Sequence, residues 1–193
     1  LALRRARFYC PLMSDWLFGY GSLIWRPGFF PDAQVFGDVF GFRRRFFQGS
    51  PDHRGTEDAP GRVVTLLHGH GDEKVFGVAL KIPRAEREKI LDALEEREQA
   101  GYERLTVDVC PRDGRAPIHA FTYIATKDNP SFLGDAPLPQ MAAQIATAHG
   151  QSGPNRDYLL RLHQALERHR ERDPHIDTLV GALAEHDSKR EPG

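Results

Sequence analysis

The sequence predicts an α+β fold, built on a small closed or partly closed mixed β-barrel with flanking α-helices. Six segments in the front two-thirds of the chain carry strand signals, and clusters of Gly, Pro and Asp separate them. Helical spacing dominates the last third. Strands followed by segregated helices are typical of α+β folds, and this many strands in 193 residues favour a barrel.

The predicted strands cover residues 16–20, 35–47, 62–67, 75–82, 105–110 and 118–125. In the fifth of them Leu105, Val107 and Val109 alternate with polar residues, as expected of a strand with one buried face. Residues 68–72, His-Gly-His-Gly-Asp, separate two apolar segments and are predicted to form a hairpin turn.

One predicted helix interrupts the strands, and three follow them. The first covers residues 84–100, because Pro83 suits a helix start and Gly101 can adopt the left-handed conformation common after helix ends. The later helices are predicted over residues 138–149, 156–172 and 176–186. In the middle one, Leu159, Leu162 and Leu166 have the spacing of a single apolar face.

The length and composition predict one domain with a core large enough to be stable without metal or disulfide bonds. Hydrophobic residues make up 40% of the chain and charged residues 27%, which is too apolar for a disordered protein. We expect a single domain over residues 14–186, with residues 1–13 as a loose N-terminal leader and residues 187–193 as a flexible tail.

The charge and cysteine content favour a small-molecule partner and a cytoplasmic location. With 26 basic and 27 acidic residues, the chain lacks the field that would attract nucleic acid or an anionic membrane nonspecifically. Cys10 and Cys110 alone make a disulfide framework improbable, which fits a reducing compartment. The histidines are not spaced along the chain as in metal-binding motifs, so no metal is predicted. No cofactor is predicted either, and the sequence leaves the oligomeric state open.

The first candidate site is the segment Phe18-Gly19-Tyr20-Gly21-Ser22-Leu23, at the end of an apolar strand. Its two glycines allow backbone N–H groups to turn toward one point, which makes a concave site for an anion such as a carboxylate. The Ser22 hydroxyl adds a donor. The alternative is an ordinary turn at a strand end, which is what a short Gly-x-Gly forms in most proteins.

The second candidate is Glu98, near the end of the first predicted helix. At 100° per residue, Glu98 lies angularly between Leu94 and Leu91 on the buried face. A carboxyl group in such a position resists ionisation, so its pKa is expected to rise toward neutrality, as a general acid/base requires. The alternative is that the last turn frays and Glu98 reaches water or pairs with Arg97 or Arg104.

The third candidate is the polar segment 46–62, in which Arg54 and Arg62 could bind a substrate carboxylate. Loops of this composition are more often simple polar turns. Asp52 and His53 could form part of a catalytic triad, but no nucleophile elbow accompanies them.

Together these segments resemble the ChaC family of γ-glutamylcyclotransferases, from about Trp16 to Leu166. The similar segments are 16–27, 47–50, 52–55, 60–66, Arg97-Glu98 before Gly101-Tyr102, 128–130 and 133–134. The resemblance implies a γ-glutamylcyclotransferase-like fold with a small barrel, and cleavage of glutathione to 5-oxoproline and cysteinylglycine. It also implies that the substrate-binding loop is Leu17 to Ser22 and that the catalytic residue is Glu98.

The implied reaction agrees with the residues, because it needs no protein nucleophile. The α-amine of a γ-glutamyl amide can attack its own γ-carbonyl and close a five-membered ring. One carboxyl group then moves the proton, here Glu98, while amides from Tyr20 to Leu23 hold the α-carboxylate. Arg54 or Arg62 is expected to bind the glycine carboxylate, and Tyr158 is a weaker candidate for closing the pocket. Two alternatives stay open: a cyclotransferase for another γ-glutamyl amine or peptide, or a noncatalytic binding module.

Overall fold

A closed five-stranded barrel forms the centre of the protein. The structure is a computed structural model, which describes residues 14–98 and 101–189; the side chains of residues 95–98 are outside that description. Around the barrel the strands follow the order β1 (Trp16–Gly19), β5 (Lys74–Lys81), β2 (Ala33–Phe40), β6 (Tyr102–Pro111) and β7 (Ile118–Ala125). β1 pairs in parallel with β7, and the other pairs are antiparallel. The predicted α+β barrel fold is confirmed.

A second, two-stranded sheet leaves the barrel at a sharp corner. Strands β3 (Phe42–Ser50) and β4 (Gly61–His68) pair with each other, so the predicted strand 35–47 is wrong as a single element. The chain breaks at Gly41, whose φ of 77° is in the left-handed region that glycine adopts without steric cost.

The predicted hairpin turn over residues 68–72 is also wrong, because β4 and β5 belong to different sheets. This segment lies beside Gly41 at the corner. The Gly41 N–H donates to the Glu73 carbonyl (2.7 Å), and the Gly69 N–H donates to the Gly41 carbonyl (2.9 Å). Both chain crossings between the sheets are therefore tied together by backbone hydrogen bonds, which local sequence patterns do not reveal.

The helices begin and end close to where the sequence places them. A 3-10 helix (Arg84–Glu86) leads into α1 (Arg87–Glu98), and Gly101 has the expected positive φ, 85°. The later helices are α2 (Leu138–Thr147), α3 (Asn155–Arg168) and α4 (Pro174–Ser188). Between α2 and α3 lies a minimal ladder of β8 (His149–Gly150) and β9 (Gly153–Pro154).

Two predicted boundaries in this region need correction. Helix α3 ends at Arg168, short of the predicted residue 172, because Arg170 has a φ of 58° and turns the chain out of the helix. Helix α4 includes Asp187 and Ser188, so the predicted flexible tail begins too early. The Asp187 carboxylate forms an ion pair with Arg156 of α3, which ties down this last turn. Residues 190–193 and 1–13 lie outside the described residues.

Two apolar cores pack against opposite sides of β1. Phe18 belongs to the larger core, which includes buried residues of β3, β4 and the helices α2, α3 and α4. Leu17 belongs to the smaller core, where Leu91 and Leu94 of α1 pack against the barrel. Because β1 is buried on both faces, the segment that follows it lies between the barrel, α1 and α3.

Within the described part of the chain, no helix combines the length and apolar character needed to cross a membrane.

A histidine satisfies the backbone where the ladder between β3 and β4 is irregular. Their register shifts between Arg45 and Gln48, and the N–H of Phe46 donates to Nε2 of His175 (3.0 Å). The ring must be neutral at Nε2 to accept this bond. Burial lowers the pKa of His175 to about 4, and the positive charge of Arg45 adds to this effect.

His175 is therefore expected to make stability depend on pH. The pKa of this histidine is 6.5 in the unfolded chain and about 4 in the folded protein. The neutral ring therefore contributes its full stabilisation above pH 6.5, and this contribution is lost as the pH falls toward 4. Between pH 7 and 4.5, the wild type should lose about 1–3 kcal/mol more of its unfolding free energy than His175→Gln. Urea unfolding at both pH values measures this; parallel losses in the two proteins would contradict it.

Candidate active site

The loop after β1 is held in place by hydrogen bonds on both sides. The Tyr20 hydroxyl donates to the Tyr123 carbonyl of β7 (2.7 Å), and the Thr122 hydroxyl donates to the Phe18 carbonyl (2.9 Å). A 3-10 helix, Ser22–Ile24, follows, and the N–H of Ile24 donates to the Gly21 carbonyl (3.0 Å). The loop is thus rigidly joined to the barrel wall.

Gly21 lies directly against Tyr158 of α3. A β-carbon at position 21 would come within 2.8 Å of the Tyr158 hydroxyl and 3.0 Å of Val64 Cγ2, so only glycine allows this approach. Tyr158 is 7% exposed, with the rings of Trp25 and Phe46 edge-on to it at 5.7 and 5.8 Å. A buried, packed tyrosine therefore forms the wall opposite the loop.

A cavity of about 390 Å³ opens between these elements, within the size range of small-molecule sites. The structure brings most of the predicted site residues together around it. The lining includes the whole predicted loop and two of the three other candidates for substrate binding: Leu17, Phe18, Gly19, Tyr20, Gly21, Ser22, Leu23, Arg54 and Tyr158.

Arg54 reaches the cavity from the loop between β3 and β4. Its backbone N–H donates to Ser50 Oγ (3.1 Å), and its Nη1 donates to the Pro154 carbonyl (3.2 Å). The guanidinium lies 5.5 Å from the centre of the Tyr158 ring. Burial lowers the pKa of Arg54, because a charged group loses hydration there. A partly dehydrated guanidinium in a cavity is well suited to bind a carboxylate.

Arg62, the other arginine predicted to bind substrate, is not among the residues that line this cavity. Its guanidinium donates to Gln144 Oε1 (2.6 Å), the Phe46 carbonyl (3.0 Å) and the Gly134 carbonyl (2.9 Å). Its backbone N–H and carbonyl bond the side-chain amide of Asn155 at the start of α3, each at 2.7 Å. Arg62 therefore joins β3, β4, α2 and α3, and we expect its role to be structural.

Arg62→Met is accordingly expected to act on stability. It leaves three acceptors without their donor, one of them the buried Phe46 carbonyl, and should lower the free energy of unfolding by about 2–4 kcal/mol. The exposed Arg43 of β3 provides the control, because Arg43→Met should change stability by less than about 0.5 kcal/mol. Urea titration measures both. Unchanged stability with an increased KM for substrate would instead make Arg62 a binding residue.

The predicted catalytic residue, Glu98, is the last residue of α1, and its side chain lies outside the described residues. The elements on either side of it do reach the site. Leu94, one turn earlier in α1, lines the cavity, and so does Tyr102 at the start of β6.

Two arginines at the cavity, Arg26 and Arg161, were not predicted as site residues. Arg161 follows Tyr158 by three positions in α3, the spacing of neighbours on one helical face, so helical periodicity was a usable signal for it. Arg26 follows the 3-10 helix of the loop and lies in segment 16–27, which resembles the ChaC family, so the resemblance was a usable signal for it. Among the described residues, no group of His, Cys, Asp and Glu side chains is arranged to hold a metal ion.

Known proteins are similar to the part of the chain that forms the barrel, the helices and the cavity. A family model described as ChaC-like protein matches residues 15–186. The chain is 41% identical over 175 residues to glutathione-specific γ-glutamylcyclotransferase 1 of Danio rerio, covering 88% of this chain and 89% of that protein. It is 44% identical over 179 residues to γ-glutamylcyclotransferase 2-3 of Arabidopsis thaliana, covering 89% of each.

The fold also has a solved counterpart. A crystal structure of a γ-glutamyl cyclotransferase specific to glutathione, from yeast, superposes with a TM-score of 0.80 at 29% identity. The match covers 89% of this chain and 96% of that one.

Proposed function

This chain belongs to the ChaC-like family, and we propose that it cleaves glutathione into 5-oxoproline and cysteinylglycine by intramolecular cyclotransfer. The observation that carries the proposal is the cavity in which the loop after β1 faces Arg54 and Tyr158, beside the end of α1. Its relatives named glutathione-specific γ-glutamylcyclotransferases match over nearly the same span of chain.

The γ-glutamyl group is proposed to occupy the part of the cavity next to the loop. Tyr20 and Leu23 are each 8% exposed, and Leu17 and Phe18 each 1%, so this part is enclosed by the barrel. Backbone amides between Tyr20 and Leu23 would hold the α-carboxylate. Fixing the head group in this way brings the α-amine to the γ-carbonyl carbon, which is the main requirement of a ring closure.

Glu98 is proposed to move the protons. It first takes a proton from the α-ammonium, which frees the nitrogen lone pair to attack the γ-carbonyl carbon. The C–N bond to the cysteine residue then breaks as Glu98 gives this proton to the departing nitrogen. The ring nitrogen, which still carries two hydrogens after the attack, loses its second proton to water and becomes the amide N–H of 5-oxoproline. Leu94 and Tyr102 line the cavity on either side of position 98 in the sequence, which supports this assignment. Loop amides that stabilise the oxyanion of the tetrahedral intermediate would lower the barrier further.

The direct test is release of 5-oxoproline by the purified protein. Glutathione, γ-glutamylalanine and γ-glutamyl-ε-lysine are incubated separately, and 5-oxoproline is measured by chromatography, with heat-denatured protein as the control. Glutathione is expected to be the best substrate. No product from glutathione would refute the proposal, and product from γ-glutamylalanine alone would identify a cyclotransferase for another γ-glutamyl compound.

We also propose that the protein acts in the cytoplasm, because its low cysteine content fits a reducing compartment.

A further inference from the structure

The cavity carries an excess of positive charge that the whole chain does not have. Arg26, Arg54 and Arg161 all line it, and Asp52 is the one acidic side chain among the described lining residues. The complete sequence has a formal charge of −1. Three guanidinium groups from three separate elements, namely the loop after β1, the β3–β4 loop and α3, therefore converge on one site.

Within the described part of the chain, none of these three arginines forms an ion pair with a carboxylate. The Arg54 guanidinium donates to the Pro154 carbonyl and lies over the Tyr158 ring, whereas Arg26 and Arg161 are exposed. Burial is the main cause that lowers the pKa of Arg54; the charges of Arg161 and Arg26 lower it further, against the opposing influence of Tyr158 and Asp157. Three like charges in one cavity raise the energy of the free protein, because Asp52 alone among the described lining residues carries the opposite charge, and a bound anion relieves this repulsion.

We propose that Arg26 and Arg161 act with Arg54 as specificity-determining residues, which bind a carboxylate at the end of the substrate opposite its γ-glutamyl group. The proposal rests on the proposed function and deepens it. It assigns the preference for a tripeptide with a free C-terminal carboxylate, over γ-glutamyl compounds that lack one, to these arginines. A guanidinium binds a carboxylate in a fixed two-bond geometry, so it selects for that group more sharply than a diffuse positive charge would.

The arrangement of the cavity favours the distal carboxylate over the α-carboxylate as the partner. Of the loop residues proposed to hold the γ-glutamyl head group, Tyr20 and Leu23 are buried and the two between them are half-buried, whereas Arg26 and Arg161 are exposed. An extended tripeptide spans roughly 10 Å, which is enough to reach from an enclosed head-group site to the opening. One end of the substrate therefore lies among backbone amides and the other end among the arginines.

The test compares glutathione with its C-terminal amide, which keeps the γ-glutamyl bond and removes only the distal charge. The wild type should have a kcat/KM about 10- to 100-fold higher for glutathione than for the amide, the range for losing a hydrogen bond to a charged group.

The variants test the arginines themselves. Arg26→Gln and Arg161→Gln should each lower kcat/KM for glutathione by about 10-fold and change kcat/KM for the amide by less than about twofold. Arg168→Gln is the matched control, because Arg168 is exposed on the same helix and does not line the cavity.

A second measurement needs no variant. Added salt should lower kcat/KM for glutathione more than for the amide, because salt screens the exposed arginines. Equal losses for both substrates in the variants, or no preference of the wild type for the free carboxylate, would overturn the proposal. Failure of the proposed function is distinguishable, because the wild type would then release no 5-oxoproline from either compound.

Discussion

Glu98→Gln is expected to fold normally and to lower kcat for glutathione by at least about 100-fold, the lower end of the range for general acid–base catalysis. The substitution keeps the size of the side chain and removes its ability to take and return a proton. Substrate binding should change much less, because the proposed binding groups lie on the loop after β1 and on Arg54. Steady-state release of 5-oxoproline, with circular dichroism to check the fold, measures the effect.

The matched control lies on the same helix. Glu88 is exposed in the first turn of α1, so Glu88→Gln removes an equal charge from the helix at a distance from its end. Its kcat should stay within about twofold of the wild type, as expected for a surface substitution away from a site. Near-normal turnover in Glu98→Gln would remove Glu98 from the mechanism while leaving the cyclotransferase activity itself in place.

Gly21→Ala is expected to lower kcat/KM for glutathione by about 10- to 100-fold, since small displacements of positioning groups are that costly in catalysis. The new methyl group would lie 2.8 Å from the Tyr158 hydroxyl and 3.0 Å from Val64 Cγ2. Because Tyr158 is buried and packed against Trp25 and Phe46, we expect the loop to move away from α3, and the amides proposed to hold the α-carboxylate to move with it. Kinetics with glutathione measure the loss.

A double variant tests whether the contact with Tyr158 is the cause. Tyr158→Phe removes the oxygen nearest to the added methyl group, so Gly21→Ala/Tyr158→Phe should recover part of the activity lost in Gly21→Ala. Gly181→Ala is the control for the substitution itself, because position 181 is exposed in α4 and has no atom within 4 Å of an added β-carbon. It should leave kcat/KM unchanged and increase stability slightly. No recovery in the double variant would contradict this explanation.

Local patterns in the sequence predict most of the secondary structure correctly. Alternation identifies residues 105–110 as a strand, now part of β6, and Gly101 has the positive φ expected after a helix. The errors occur where one segment serves two sheets. Residues 35–47 are continuously strand-like, and their division at Gly41 depends on hydrogen bonds to Gly69 and Glu73, about thirty residues away. Such distant partners leave no trace in a local window.

The candidate site shows the same division between local and distant information. The segment from Leu17 to Leu23 was identifiable because its glycines, its strand and its hydroxyl residue are adjacent in the chain, and all of it lines the cavity. Arg54 and Arg62 are equivalent in the sequence, since both lie in one polar segment between strands. In the structure Arg54 faces the cavity, whereas Arg62 bonds Gln144 and two backbone carbonyls.

The sequence by itself determined the fold class, the loop after β1 and, through resemblance, the family, because each of these depends on residues that are adjacent or periodic. Only the tertiary structure decided which arginine is structural and which three surround the cavity. The reason is physical: whether a guanidinium is satisfied by the protein or available to a ligand depends on which acceptors the fold brings within about 3 Å of it. For Arg62 those acceptors come from three distant segments, and for Arg26 and Arg161 no described carboxylate forms an ion pair with them.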